Sequence, residues 1–149
     1  MVKKTFSKSL SANDVGATGA HQAGILVPKS DSELLAFFPS LDPTIKNPDA
    51  WIECVDEDGI SRKFRFVYYN NRLHDPTGTR NEYRITYMTR YFREIGAKEG
   101  DILEISRDLT SLIYSIRIKN KSEETVKLTV MDDESPVRIK ITSGWRRVH

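Results

Sequence analysis

Residues able to do chemistry gather in two polar stretches. One is Thr79-Arg80-Asn81-Glu82-Tyr83-Arg84. If it is extended, Arg80, Glu82 and Arg84 project to one side, roughly 6.6 Å apart in succession, and Asn81 and Tyr83 to the other. An extended arm can enter the major groove of duplex DNA. There arginine is a bidentate donor to guanine O6 and N7, glutamate accepts from the cytosine amino group, and asparagine suits adenine. A carboxylate beside phosphates is repelled unless it finds a specific donor. Glu82 between two arginines therefore fits base reading, and it fits equally a local pair with Arg80 or Arg84 on a solvated loop. The second stretch runs from Ser11 to Gln22. His21 and Gln22 follow the flexible Gly16-Ala17-Thr18-Gly19-Ala20 run and could reach bases or phosphates. Asn13 and Asp14 could do the same or simply close local turns.

Other chemistries lack their parts. Gly16-Ala17-Thr18-Gly19 has no following lysine and opens no helix, so it is not a phosphate loop. Pro48-Asp49 followed by Glu53-Cys54-Val55 puts valine where a nuclease of the Pro-Asp…Glu-x-Lys type needs lysine. Cys54 alternates with Ile52 and reads as a small buried residue, not a nucleophile. No Gly-x-Ser-x-Gly elbow is present. With one cysteine and three scattered histidines, His21, His74 and His149, neither a disulfide framework nor a zinc site is expected. The chain reads as non-catalytic, with no metal, no cofactor and no small-molecule substrate.

Something must hold these stretches. The 149 residues suit one domain spanning 1–149, able to bury roughly 70% of its unfolded surface. Apolar alternation marks half-buried strands at 62–68, 111–119, 125–130 and 137–142, with further strands at 24–27, 50–55 and 101–105. Phe64 and Phe66 should face inward, as should Leu112, Tyr114, Ile116 and Ile118. Asp56-Glu57-Asp58-Gly59 reads as a hairpin turn and Gly144-Trp145 as the start of a last short strand. Ser30 would N-cap a helix over 31–38, with Glu33 at the capping-box position and Pro39 as stop. A second helix would run from Thr89 to Ile95 and end at Gly96. Short strands with two short helices predict a barrel-like, mainly β fold.

The charge is patterned. Residues 1–30 carry four Lys against one acid, and residues 60–93 carry eight Lys/Arg against two acids. Residues 31–59 carry eight acids against one Lys. Each polar stretch lies in or beside a basic block. If the blocks meet, the fold presents one basic face to a polyanion. If they do not, the surface is merely mixed and solvated. No apolar run is long enough to span a bilayer and no secretory leader is present, so a soluble cytoplasmic location is expected.

Leu10-Ser11-Ala12-Asn13-Asp14, Gly16-Ala17-Thr18-Gly19, His21-Gln22 and Gly24, taken with Tyr68-Tyr69-Asn70, Arg72 and Thr79-Arg80-Asn81-Glu82 before Arg84-Ile85-Thr86, resemble the two DNA-contacting arms of the EcoRII restriction endonuclease N-terminal effector-domain family. The resemblance covers roughly residues 5–90. Glu94 to Asp101 also resembles the Gly-Asp turn of plant B-three-type transcription-factor domains. It implies a B-three-like pseudobarrel of about seven strands, open, with two short helices. An N-arm at about 8–24 and a C-arm at about 70–86 would grip double-stranded DNA from the major groove. It implies sites containing CC/GG, such as 5′-CCWGG, and a role as recognition or effector module beside a fused or separate nuclease domain. By the same resemblance the N-arm supplies Lys8, Asn13, Asp14, Thr18, His21 and Gln22. The C-arm supplies Arg80, Asn81, Glu82, Tyr83 and Arg84, with Asn70 and Arg72 near its base. Arg80 and His21 would read guanine, Glu82 cytosine, and Lys8 and Arg84 would hold phosphate. Gly78 and Tyr83 stand where the EcoRII arm carries lysines.

Two other readings use the same basic face. A stand-alone B-three-like transcriptional regulator would bind duplex DNA without a nuclease. A small β-barrel RNA binder would need exposed aromatic platforms, whereas Phe64 and Phe66 are expected in the core.

Overall fold

The structure, a computed structural model, describes residues 3–16, 24–120 and 144–148. The strands expected at 125–130 and 137–142 lie outside the described residues, as do Thr18, His21 and Gln22. Eight strands are described: β1 Lys3–Ser9, β2 Ile25–Val27, β3 Asp49–Val55, β4 Ser61–Tyr69, β5 Glu82–Thr86, β6 Ile102–Asp108, β7 Ile113–Lys119 and β8 Trp145–Arg147. Three helices join them: α1 Ser32–Phe37, the single turn α2 Asn71–His74, and α3 Thr89–Ile95. All eight strands form one sheet in the order β2-β5-β4-β3-β7-β6-β1-β8. The β3–β7 pairing is parallel and the other pairings are antiparallel.

Alternation builds the core. On β4, Phe64 and Phe66 point inward at 2% and 1% exposure, which removes them as a stacking platform for RNA. They join Ile52 and Cys54 of β3, Ile85 of β5, Leu103 and Ile105 of β6, and Tyr114 and Ile116 of β7. Burial pushes the Cys54 thiol up to about 12, with Glu53 adding to the effect, so it stays protonated and inert. The α1 ring Phe37 meets Phe6, Phe38 and Tyr114 at centroid distances of 4.9, 5.2 and 5.3 Å.

Three details differ from expectation. The N-cap of α1 is Asp31, not Ser30: its carboxylate accepts from Leu34 N–H at 3.1 Å. Two neighbouring residues were both able to cap, and the carboxylate also favours the positive end of the helix. Glu33 consequently makes no capping box and instead meets Lys4 and Arg147. Leu112 is 87% exposed, because it lies in the turn before β7 begins at Ile113. The third difference is α2, inside a stretch that read as loop.

The Asp56–Gly59 turn joins β3 to β4 as expected. Asp56 Oδ1 accepts from Asp58 and Ile60 N–H, and Oδ2 takes the Arg62 guanidinium. At the other predicted stop, Gly96 adopts the left-handed conformation (φ 71°) that closes α3.

Candidate nucleic-acid interface

The two arms emerge side by side. The N-arm leaves β1 at Ser9 and returns at β2. The C-arm leaves β4 at Tyr69 and returns at β5. Strands β2 and β5 pair, with Ile25 opposite Ile85, Leu26 opposite Arg84 and Val27 opposite Tyr83. The returning stems of the arms are therefore hydrogen-bonded neighbours. Two further contacts bind them: Arg84 donates through Nη1 to Gly24 O at 2.8 Å, and Lys29 Nζ donates to Asn81 O at 3.1 Å.

Where the C-arm returns into β5 the expected triplet is brought together. Arg80 Nη2 and Arg84 Nε both donate to Glu82 Oε2, at 2.9 and 2.5 Å. Among the described residues Oε1 receives no hydrogen bond. Burial pushes the Glu82 carboxyl up. The hydrogen bonds and charges of Arg80 and Arg84 more than offset that, and leave it below the usual carboxylate range. The Arg80 guanidinium also lies over the Tyr69 ring, 3.9 Å from its centroid, a cation–π contact. Glu82 is thus ionised, oriented and half-exposed, with one oxygen free to accept.

The other face of β5 is held by rings. Tyr83 stacks on Tyr68 with centroids 4.2 Å apart and planes 5° from parallel. The stack continues through Phe66 and Phe38 to Tyr114. The Tyr68 hydroxyl donates to Asn81 Oδ1 at 2.5 Å. Asn81 and Tyr83 thus face the barrel while Arg80, Glu82 and Arg84 face away, as the alternation predicts.

The base of the arm is a knot of main-chain bonds. Asn71 Oδ1 accepts from Arg80 N–H at 2.8 Å, and Arg72 N–H donates to Arg80 O at 3.0 Å. The loop presses so closely on α2 that a Cβ on Gly78 would lie 2.2 Å from Asn71 O. Arg72 is exposed, and its guanidinium has no partner among the described residues.

Asn70, expected near the arm's base as a DNA contact, is corrected to a structural latch. It is 0% exposed. Its Oδ1 accepts from Asn47 N–H at 2.7 Å and its Nδ2 donates to Pro43 O and Ile45 O at 3.3 and 3.0 Å. Its own N–H donates to Asn47 Oδ1 at 3.0 Å. The side chain is enclosed by these partners and faces the interior.

Lys8 also differs from expectation. It is 7% exposed, and its ammonium meets Asp14 Oδ2 at 2.8 Å. That carboxylate also accepts from Ser11 N–H, while Ser11 Oγ accepts from Asp14 N–H. The pair pins the first turn of the N-arm to β1. A phosphate contact by Lys8 would have to break it. Asn13 is exposed on the same turn.

The comparisons with known proteins agree with this geometry. Residues 2–100 match the family described as "Restriction endonuclease EcoRII, N-terminal". The chain belongs to the EcoRII N-terminal family. The matched residues run from β1 through α3 and contain both arms, whereas β6, β7 and β8 lie beyond them. A curated relative, the type II restriction enzyme EcoRII of Escherichia coli, is 37% identical over 119 residues, covering 74% of this chain. The chain spans only 26% of that enzyme's length. A solved chain from an Arabidopsis FUS3–DNA complex superposes with a TM-score of 0.56 at 23% identity, covering 76% of this chain and 94% of that one. That likeness is one of fold, and it makes this EcoRII N-terminal domain a B-three-like open pseudobarrel. Among the described residues no helix is long and apolar enough to cross a membrane.

Two features of this family member were beyond sequence reasoning. The Tyr68 and Tyr69 pair, which steadies the arm from both faces, was visible only as part of the resemblance; the alternation of β4 is the signal that could have assigned each ring a side. Asn47 gave no signal at all, since its link to Asn70 spans two separate loops.

Proposed function

We propose that this chain binds double-stranded DNA sequence-specifically through its two arms, as the recognition or effector module of a type II restriction endonuclease. The observation that carries the reading is the Arg80–Glu82–Arg84 fork, seated on Tyr69 and backed by the Tyr83–Tyr68 stack. It offers guanidinium donors and a carboxylate acceptor at fixed spacing on one face of an extended arm, the donor and acceptor pattern that a C·G pair requires in the major groove. Pre-ordering these long side chains reduces the entropy lost on binding.

In this reading Arg80 reads guanine, and the free Oε1 of Glu82 accepts from a cytosine amino group. Arg84 and the exposed Arg72 supply phosphate contacts beside Lys29. Asn81 and Tyr83 position the fork from behind. On the N-arm, Asn13 and the residues expected there (Thr18, His21 and Gln22) complete the grip, with Asp14 and Lys8 as its anchor. The site is a CC/GG-containing sequence such as 5′-CCWGG. A nuclease domain, fused or separate, does the cutting, and this domain has no catalytic role.

The test is a titration of the purified chain, by fluorescence anisotropy at about 100 mM salt, where non-specific binding is already weakened. One duplex carries CCWGG and the other a scrambled sequence. A preference of about a hundredfold or more is expected, within the range by which specific exceeds non-specific binding. Equal affinity for the two duplexes would refute this site, and equal affinity across a randomised-duplex selection would refute sequence reading altogether.

A further inference from the structure

The sheet has two free edges, β2 and β8, and the N-arm is strung between them. Its return stem is β2 itself, and its departing stem, β1, is the neighbour of β8. Among the described residues no strand ladder joins β8 to β2. A side chain bridges the gap: Trp145 Nε1–H donates to Leu26 O at 2.9 Å. Trp145 is only 7% exposed, and its ring meets Phe38 edge-on at 6.5 Å.

The same residue holds the other stem. Trp145 lies opposite Lys8 in the β1–β8 ladder, and Ser9 N–H donates to Gly144 O at 3.1 Å. Gly144 has φ 79°, and a Cβ there would sit 3.4 Å from both Lys8 Nζ and Ser9 O. Lys8 in turn anchors Asp14 in the first turn of the arm. On the far side, Leu26 lies opposite Arg84 in the β2–β5 ladder, and Arg84 belongs to the C-arm fork. Short bonded steps thus run from Asp14 through Lys8, Trp145 and Leu26 to Arg84 and Glu82.

We propose that Trp145 is a positioning residue for DNA reading: its indole N–H clasps the two stems of the N-arm across the open seam and fixes that arm relative to the C-arm fork. The proposal rests on the DNA-reading function above. Trp145 lies beyond the stretch that matches the EcoRII N-terminal family, whereas Lys8, Leu26 and Arg84 lie within it. Trp145 touches no base. Its effect is to hold the first turn of the N-arm and the C-arm fork at one spacing, so that both arms meet a duplex in register.

Two replacements isolate the N–H. Trp145→Phe keeps an aromatic ring against Phe38 and removes the donor. Benzothienylalanine at position 145 keeps the full indole shape and also lacks the donor, which covers the case in which the smaller ring fails to fold. Arm spacing is read directly by pulsed electron resonance between spin labels on Ala12→Cys and Thr77→Cys. The buried, protonated Cys54 stays unlabelled. The expected result is a broadened distance distribution in both variants. Specific affinity should fall about tenfold, the loss of one productive hydrogen bond, while affinity for a scrambled duplex changes less than about twofold and the thermal midpoint of the benzothienylalanine chain stays close to that of the parent. An unchanged distance distribution in both variants overturns the proposal. So does an equal loss on both duplexes tracking a fall in stability, which would make Trp145 mere seam packing. If the parent chain shows no sequence preference, the functional reading fails, and the spin-label distances still decide the clasp.

Discussion

Asn70→Ala separates a latch from a reader. The wild-type carboxamide serves three main-chain groups: Asn47 N–H, Pro43 O and Ile45 O. Truncation strips all three. Pro43 O keeps a partner, because His74 Nε2 lies 3.0 Å away. Asn47 N–H and Ile45 O lose theirs. At about 1–3 kcal/mol for each deprived buried group, and with Ile45 exposed enough for water to reach its carbonyl, the cost is about 3 kcal/mol. For a chain of this size that lowers the thermal midpoint by roughly 6–12 °C. Scanning calorimetry with and without the substitution measures it. Below the melting range, duplex preference should persist, since Asn70 faces the interior. A stability change under about 1 kcal/mol together with lost sequence preference would refute the latch and restore Asn70 to the interface.

Further outcomes follow from the same contacts. Lys8→Met removes the Lys8 ammonium from the buried Asp14 carboxylate, which should cost about 3 kcal/mol in chemical denaturation, the low end for such a pair because both side chains keep 9% exposure. The salt slope of duplex binding should stay unchanged, and a flattening by about one unit would return Lys8 to the phosphates. Gly78→Lys, which restores the cation of the EcoRII arm, should weaken binding and not strengthen it, because the new Cβ collides with Asn71 O; tighter binding would show that the loop yields freely. Glu82 and Glu104 both titrate below their ordinary 4.5 in the folded chain. Burial opposes this in each case, and arginine and lysine partners outweigh it. The unfolded chain therefore takes up protons first as pH falls. Stability should be full above about pH 5 and decline below about 4.5 as pH drops through the native values. Glu82→Gln should make that decline shallower in acid-dependent urea unfolding, and an unchanged decline would mean the fork contributes nothing to it.

How much of this was legible in the sequence depended on local period. Strand β7 and the first part of β4, through Phe66, alternate because one face of each meets the core and the other is more exposed, so their inward residues could be assigned in advance, Leu112 excepted; beyond Phe66 the alternation of β4 ends, with Val67 also buried. Strand β1 escaped notice for a different reason. Its sequence is Lys-Lys-Thr-Phe-Ser-Lys-Ser, with Phe6 as its one apolar residue, and Thr5, Ser7 and Lys8 are buried although polar, so no apolar alternation marks it. The one-turn α2 is too short to display a period. The placement of Arg80, Glu82 and Arg84 on one face followed from simple alternation. Their mutual fork did not, because residue types allowed either pairing or freedom. The burial of Lys8 and Asn70 was not legible for a shared reason: a polar residue beside a functional loop suggests a ligand contact, and only the three-dimensional packing reveals a buried partner. The closing role of Trp145 depends on a contact 119 positions away in the chain, which no local pattern can encode.

The most direct test of the account is a cycle between one base pair and one side chain. Anisotropy would give the affinity of the wild-type chain, Arg80→Ala and Glu82→Ala for a CCWGG duplex and for the same duplex with one C·G pair reversed. The account predicts that reversal costs the wild type about 1–3 kcal/mol, and that the variants bind both duplexes weakly and almost equally. Variants that still discriminate as well as the wild type would contradict it, for the fork would then not be the reader.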